Sequence, residues 1–598
     1  MGQSEQMVAE EYEKRLAERK NSHKQADDRA ANFGNLRLLI VVGFLASLWY
    51  SNWWVAIFFV LAFILLGIRI QALNDKVKGW QRSIEYYQQS LARLRGEWAG
   101  QGEGGEWCLP EEHLYARDLD LFGRASLFEL LCQARTRSGM ATLAAWLLKP
   151  TDIDTIRHRQ QAVQELSTKL DLREDLAVIG AGNKRQLRAT LLADWGDAPP
   201  TSLDQVSPWL IRIVTFIGAT AALVLIGDIL GEGLPFARLF YLPVALLCGA
   251  ILWRHRIETH AVLHGAEGAA QEVALLASVL ARIEQERFTS PLLAQLRAHL
   301  DVDGVPPSRR IAQLSRLMEL TDSRDHFLVR LLGPLVLYDL HLALALEGWR
   351  KKSGHAMRHW IAAVGELEAL SSIANYTWEN PSDVFPNLVA EAPLFDGEGL
   401  GHPLMPRTQA VVNDVKLGDP CRAFVISGSN MSGKSTIMRT IGVNTVLALA
   451  GAPVRATSLS LSLLAVGASI STHDSLQGNT SRFYAEILRL RDIMAQAAGP
   501  VPVLFLIDEV LSGTNSHDRR IGAAAIVKGL VQRNAIGLTS THDLALTQIV
   551  DDLGDRAANV HFEDQLIDGQ MHFDYKMQAG VVTHSNAIAL MRAVGLEV

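Results

Sequence analysis

Three stretches of this chain carry residue types at spacings suited to phosphate chemistry. The first is CRAFVISGSNMSGKSTIMRT, residues 421–440. Its GxxxxGK[ST] core runs from Gly428 through Ser429, Asn430, Met431, Ser432, Gly433, Lys434 and Ser435 to Thr436. In such a loop the glycines let the backbone wrap a phosphate, the N–H groups and the following helix N-terminus supply donors, and the lysine adds positive charge. Ser435 is placed to ligate Mg²⁺, so ATP with Mg²⁺ is the expected ligand pair. The bland alternative is a strand-turn-helix connection with a chance lysine, and the flanking residues weigh against it. The second stretch, VPVLFLIDEV (501–510), is an apolar run ending in two acids. Asp508 is the candidate to hold Mg²⁺ through water, and Glu509 to orient or deprotonate the attacking water. The third is the run 535–540 leading into Thr541 and His542. His542 could sense the γ-phosphate, or it could be a capping or core histidine.

These side chains need elements that aim them at one place. Residues 423–427 read as a short buried strand, 428–433 as the glycine-punctuated loop, and Lys434 onward as a helix. The 501–510 run suits a strand buried on both faces of a parallel sheet. An acid at its C-terminal end then emerges in the crevice where such sheets bind ligands.

The rest of the chain bounds the answer. Its 598 residues are enough for about three or four domains. With 57 basic and 64 acidic residues, the net charge of -7 gives no global electrostatic case for nucleic acid, so DNA would need a local patch. Cys108, Cys132, Cys248 and Cys421 lack CxxC spacing, which argues against a zinc site or a disulfide framework and for a reducing, cytoplasmic setting.

Hydrophobic residues make up 48% of the chain, and much of that is concentrated in four runs. Residues 1–35 are charged and read as a solvated helix rather than a signal peptide. LRLLIVVGFLASLWY and WWVAIFFVLAFILLGI follow, each a little short for a ~30 Å hydrocarbon core but together forming a plausible hairpin. Trp49, Tyr50, Trp53 and Trp54 mark its tip, while Arg29, Arg37, Arg69, Lys76 and Lys78 flank its open ends, which the positive-inside rule makes cytoplasmic. A second pair, Trp209 to Ile229 and Phe240 to Trp253, repeats the plan, with Arg212 and Arg254-His255-Arg256 at its ends. Buried helices of a soluble core are the alternative for all four runs. Stretches 71–207 and 257–380 look helical. His355 and His359 stand four apart, but no accompanying acid suggests a metallohydrolase, and a solvated helix face explains them.

The loop GSNMSGKST resembles the GPNMGGKST form of the MutS mismatch-repair ATPases. GHPLM (401–405), VVNDVKL (411–417), LIDEVLSGTNSHDRR (506–520), TSTHDLALT (539–547) and the closing NVHFEDQLIDGQMHFDYKMQAGVVTHSNAIALMRAVGL fall in the order and spacing of that family. TRSGMATLAAWLLKPTDIDTIRHRQQAVQEL looks like the start of its helical core, or lever. The resemblance covers roughly 110–207 and 257–598. It implies an α/β P-loop NTPase domain of ABC-like type on an all-α lever, to which the runs add two transmembrane hairpins. The domains expected are a charged N-terminal helix (1–35), hairpin 1 (36–70), a helical connector with the first lever part (71–207), hairpin 2 (208–256), the second lever part (257–390) and the ATPase domain (391–598). Four membrane helices would leave both termini and the ATPase cytoplasmic.

The resemblance further implies a homodimer through the ATPase domains, with Ser481 reaching the partner's γ-phosphate in trans. The local pattern carries an extra residue there and Arg482 where threonine is usual, so Arg482 is either a trans arginine or a surface charge. The expected catalytic set is Glu509, Lys434 and His542. No Phe-x-Glu wedge occurs in a comparable context, and neither a long clamp arm nor a nuclease-like extension is expected. Two function classes stay open: action on mismatched or otherwise structured DNA at a membrane, and an ATPase serving a membrane or transport process without DNA. A scaffold for an unidentified protein partner is a third. Membrane lipid is an expected partner in each.

Overall fold

The computed structural model describes residues 3–582 other than 50–52, 181–188, 200, 202, 204–206, 230–236, 267–269, 301–303, 392, 430–431, 471–481, 512 and 568–569. The charged N-terminal stretch and the first apolar run form one helix, α1 (Gln3–Trp49), and the second run continues through α2 (Trp53–Leu94). The boundary expected at 35/36 therefore falls inside α1. Nothing there stops a helix: residues 3–35 contain no proline, only one glycine, and many Glu, Lys, Arg and Ala, all good helix formers. At 1.5 Å per residue α1 is about 70 Å long.

The two helices pair antiparallel. The rings of Tyr12 and Tyr87 lie 5.7 Å apart, Arg19 stacks over Trp80 at 5.3 Å, and Arg37 over Phe63 at 4.1 Å. Their polar ends meet at one end of the hairpin and their apolar ends at the other. The polar start of α1 is solvated over most of its surface but buries one stripe: Tyr12 is completely buried and Val8 nearly so.

Short helices follow: α3 (Leu127–Leu131), α4 (Arg137–Leu148), α5 (Ile153–Thr168), α6 (Leu170–Gly180) and α7 (Ala189–Asp197). The second apolar pair is α8 (Pro208–Ile229) and α9 (Ala237–Arg254). After it come α10 (Arg256–Ala266), α11 (Ala270–Gln285), α12 (Pro291–Leu300), α13 (Pro307–Asp322), α14 (Phe327–Leu332) and α15 (Tyr338–Glu379). Local signals set several starts: Ser126 caps α3 and Asp152 caps α5, each accepting a backbone N–H three residues on.

The chain divides into two compact units. One comprises Met1–Gln133, Met140–Glu174 and Ala369–Val598, and the other Ala134–Gly139 and Asp175–Glu368. The second unit is helical. Its core includes Trp360, fully buried with its indole N–H on the Leu300 carbonyl at 3.1 Å, and a Trp195–Trp349 stack at 6.0 Å. His355 and His359 are exposed on α15, and no group of three or more metal-ligating side chains is present among the described residues.

Among the described residues three helices are long and apolar enough to cross a membrane, Gln3–Trp49, Trp54–Leu94 and Trp209–Asp228. The fourth run forms a shorter apolar helix, Leu239–Arg254, with Pro243 inside it.

The root of the α1–α2 hairpin is fixed within the first unit by a buried polar network. Arg93 makes a two-pronged pair with Glu379 at 2.8 and 2.7 Å, and Tyr12 donates to the same carboxylate at 3.4 Å. Tyr86 and Arg173 both donate to Asn375 Oδ1, at 2.9 and 2.6 Å. Glu174 accepts from Tyr87 at 2.6 Å and from both prongs of Arg19 at 2.8 Å. Bidentate arginine–carboxylate geometry fixes orientation as well as adding energy.

The C-terminal part of the same unit carries two sheets. Strands β1 (Asn387–Val389), β2 (Phe395–Leu400), β3 (Asn413–Leu417), β4 (Ala423–Ser427), β5 (Ser458–Ser462), β6 (Ala465–Ser469), β7 (Val503–Ile507), β8 (Ile536–Thr541), β9 (Ala557–Ile567) and β10 (Gln570–Ala579) form a four-stranded sheet ordered β1-β5-β2-β3 and a six-stranded one ordered β10-β9-β4-β8-β7-β6. In the larger sheet only the β9–β10 pair is antiparallel. Helix α16 (Lys434–Ala450) leaves β4, α17 (Arg482–Gln496) precedes β7, α18 (Ser516–Gln532) connects β7 to β8, and α19 (Ile549–Leu553) follows β8. Phe505 and Ile507 of β7 pack with Leu490 and Ile493 of α17 and Val527 and Leu530 of α18. Almost all of α16 is buried, including the polar Lys434, Thr440, Asn444 and Thr445. Part of its cover is Leu119: a Cβ on Gly442 would lie 2.5 Å from that side chain and 2.9 Å from Leu506.

Candidate active site

Strand β4 is hydrogen-bonded between β8 and β9, all three parallel, with Ser427 opposite Thr541 and His561; β7 lies beyond β8. Parallel strands present their C-terminal ends on one edge of the sheet. The loop after β4, the acids after β7 and the histidine after β8 therefore converge, as the motifs required.

The loop 428–433 is held by its glycines. Gly428 and Gly433 have φ of 152° and 110°, where a side chain is strained. Neither has room for one: a Cβ would lie 3.0 Å from the Phe562 carbonyl at Gly428 and 3.2 Å from the Tyr575 ring at Gly433. Strands β9 and β10 thus form a wall beside the loop. Lys434 is 5% exposed, and its ammonium donates to the carbonyls of Gly428 at 2.9 Å and Ser429 at 2.7 Å. Burial lowers the Lys434 pKa, while the nearby charges of Asp508 and Glu509 act in the opposite direction. Thr436 lies in the first turn of α16, whose leading N–H groups have no acceptor within the helix.

Ser435 Oγ donates to Asp508 Oδ2 at 2.5 Å. The other oxygen of Asp508 accepts from Ser540 Oγ, and the same hydroxyl accepts the Glu509 N–H at 3.0 Å. Glu509 and Leu511 have φ of 51° and 54°, an unfavourable region for non-glycine residues that needs external support. The support is visible: Leu511 N–H donates to the buried Glu486 carboxylate at 2.5 Å, and Arg519 Nε to the Leu511 carbonyl at 3.1 Å. His542 Nε2 lies 2.7 Å from Glu509 Oε1.

Two features fit a bound polyphosphate and a divalent cation. The hydroxyls of Ser429 and Ser432 are shut from solvent with no hydrogen-bond partner among the described residues, and leaving such groups unpaired is costly. A ligand rich in acceptor oxygens would satisfy them. Ser435 and Asp508 are both partly accessible and supply oxygen donors of the kind Mg²⁺ takes.

Asn430, Met431 and Ser481 lie outside the described residues, and Arg482 opens α17 with its side chain outside them too. Four contributors escaped the motif reading. Ser540 bridges Asp508 and Glu509, and its place beside Thr541-His542 at a strand end was the available signal. Glu486 steadies the loop after the acids from a helix with no motif. Tyr575 sits at a register shift between β9 and β10, 41% exposed beside Gly433. The stretch 113–121, expected with the lever, packs on this domain: Leu114 and Asp118 accept the N–H groups of Ala468 and Ile470 at 2.8 Å, and Asp120 pairs with Arg439 of α16.

Comparison with known proteins agrees with this arrangement. A family model described as MutS domain III matches residues 114–190, and one described as MutS domain V matches 424–597. A DNA mismatch repair protein MutS 2 of Halobacterium salinarum is 32% identical over 255 residues, 42% of this chain and 29% of that protein. DNA mismatch repair proteins MutS of Bacillus cereus and Bacillus thuringiensis are each 32% identical over 257 residues, 42% of this chain and 28% of theirs. The matched part of the chain thus spans under a third of the length of these relatives. Domain III in the segment that packs on α16 and β6, and domain V on the sheet that gathers the loop, the acids and the histidine, occur in their own order, so residues 114–190 and 424–597 are similar to proteins of the MutS family.

Proposed function

We propose that the chain is a membrane-anchored ATP hydrolase, working as a homodimer through its ATPase domains and coupling nucleotide turnover to an action on mismatched or structured DNA. The observation that carries the ATPase reading is the Ser435–Asp508 pair at 2.5 Å, beside the Ser429 and Ser432 hydroxyls, which lack partners among the described residues. The loop 428–436 binds the phosphates, and Lys434 exchanges the carbonyls of Gly428 and Ser429 for them. Ser435 and Asp508 hold Mg²⁺, which supplies positive charge for the phosphate oxygens when bound. Ser540 fixes Asp508. Glu509, oriented by His542, holds the attacking water and takes its proton, and Ser481 of the second copy completes the site. Tyr575 offers a ring for the base to stack on. Rate enhancement then comes from positioning and charge stabilisation.

The DNA part rests on the names of the relatives, which are DNA mismatch repair proteins. Membrane anchoring is supported by the exposed apolar faces of α1, α2 and α8, with Leu38 at 70%, Phe58 at 65% and Phe216 at 75% exposure. Those faces, with a net charge of -7, also favour a second reading: the same ATPase driving a membrane or protein-partner process without DNA. The test is steady-state ATPase of the detergent-purified protein with homoduplex, mismatched and branched DNA at two salt concentrations, with Glu509→Gln as the blank. Salt-sensitive stimulation by one DNA class supports the first reading, since phosphate contacts release counterions. Normal basal turnover without any DNA response supports the second, and no turnover at all defeats both.

A further inference from the structure

The sequence between α13 and the middle of α15 includes HFLVRLLGPLVLYDL, an apolar stretch interrupted by Arg330 and by Gly333-Pro334. It forms α14, a tight turn and the start of α15, and it lies against both α8 and α9. A Cβ on Gly218 of α8 would lie 1.8 Å from the Leu335 carbonyl oxygen, and Cys248 Sγ of α9 donates to that same carbonyl at 3.4 Å. Thr215 of α8 and His341 of α15 meet at 2.6 Å.

These contacts have a depth. Gly218 is about 15 Å along α8 from Pro208, and Cys248 about 9 Å along α9 from Arg254. Thr215, nearer the start of α8, meets the returning limb at His341. Leu252, near the Arg254 end of α9, lines a cavity of ≈ 410 Å³ shared with Arg324, Arg330 and Asp339. Gly333 and Pro334 line the same cavity, and just beyond them the Leu335 carbonyl meets α8 and α9 at Gly218 and Cys248, about 15 and about 9 Å in from Pro208 and Arg254.

Backbone in hydrocarbon must satisfy its own polar groups or be buried in protein. Here the N–H groups of Gly333, Leu335, Val336, Leu337 and Tyr338 donate within the segment, to Val329, Leu332, Gly333, Pro334 and Gly333 in turn. Phe327 and Leu331, meanwhile, are 76% and 54% exposed. A water-facing loop has no need of the first property and is penalised by the second.

We infer that residues 327–337 are a re-entrant element of the membrane domain. It enters beside α9 from the Arg254 side, turns at Gly333-Pro334 against Gly218 and Cys248, and returns as α15, with Phe327 and Leu331 against lipid acyl chains. The inference rests on the reading of α8 and α9 as membrane-embedded.

The experiment places a benzophenone amino acid at Phe327, Leu331, Phe216 or Ile521 of the full chain in vesicles of phosphatidylethanolamine and phosphatidylglycerol, and detects lipid adducts by mass after illumination. Adducts at 216, 327 and 331 several-fold above the Ile521 background are expected. Gly218→Val, which pushes the turn off α8, should lower the yield at 331 and keep that at 216. Adducts at 216 with none at 327 and 331 overturn the re-entrant element and leave the membrane hairpin standing. None at 216 removes the hairpin reading and the inference with it.

Discussion

Nε2 of His542 and Oε1 of Glu509 lie 2.7 Å apart, joining the ends of two neighbouring parallel strands, β8 and β7. A histidine that holds a carboxylate in this way restricts its orientation. Glu509→Gln keeps the shape and removes the proton acceptor, so turnover should fall by about 10²–10⁴-fold, the usual worth of general base catalysis. Bound nucleotide should be retained. His542→Ala, which leaves the base but frees its orientation, should cost less. Steady-state ATPase and retention of labelled ATP on the purified variants measure both. Equal losses for the two would assign the proton acceptor to the histidine instead.

Ser540 offers a separate test of the metal side. It has no direct contact with a phosphate in this reading; it donates to Asp508 and accepts the Glu509 N–H. Loss of a residue that orients a metal ligand typically costs about 10–100-fold in metal affinity. Ser540→Ala should therefore raise the Mg²⁺ concentration for half-maximal ATPase by about that factor, with turnover at saturating Mg²⁺ less affected. An unchanged Mg²⁺ titration would remove Asp508 from the metal site.

The hairpin root should matter for stability rather than chemistry. Arg93 and Glu379 are a buried pair, with side chains 8% and 4% exposed. Removing one partner leaves a charge uncompensated, which costs about 3–5 kcal/mol. Glu379→Ala should lower the melting temperature markedly, and combining it with Arg93→Ala should cost less than the sum. Arg358→Ala breaks an exposed pair with Asp194 and Asp197 and should leave the melting temperature nearly unchanged. Similar melting shifts for Glu379→Ala and Arg358→Ala would mean that the network does not hold the hairpin.

The convergence of the candidate site was legible because its signals are local. A glycine loop between a short apolar run and a helix, and an apolar run ending in Asp508-Glu509, each specify a strand and what emerges from it; β4 is Ala423–Ser427, the span read from sequence. The hairpin root was not legible, since it joins Tyr12 to Glu379 across most of the chain and no period announces such a pairing. Charged residues 3–35 looked solvated because amphipathic burial is hard to see when arginine stems and tyrosines do the packing. The packing of 113–121 on the sheet was not legible for a related reason: two of its contacts there are to main-chain groups of β6 and the segment after it, which leave no mark on side-chain pattern. The turn at Gly333-Pro334 hid an apolar stretch by breaking it in two.

A last prediction concerns pH and the loop beneath α16. His402 is 9% exposed, and its Nδ1 accepts the Leu404 N–H at 3.2 Å, which requires an unprotonated nitrogen. Burial, then the positive charges of Arg439 and Arg455, push its pKa down to about 4. In the unfolded chain the value is about 6.5. Between these two values the unfolded state binds more protons, so stability rises with pH across the window and is lost as pH falls through it. The full effect is about 3 kcal/mol, because each pKa unit is worth about 1.4 kcal/mol. The loss should reach the candidate site: Asn444 of α16 donates to the Gly401 carbonyl at 3.0 Å, and Arg455 to that of His402 at 3.0 Å. His402→Asn can accept the Leu404 N–H without titrating, so denaturant melts between about pH 6.5 and about 4 should show a shallower slope for it than for the parent chain. Parallel slopes would mean that acid sensitivity in this range comes from other groups and that the loop tolerates a charged imidazole.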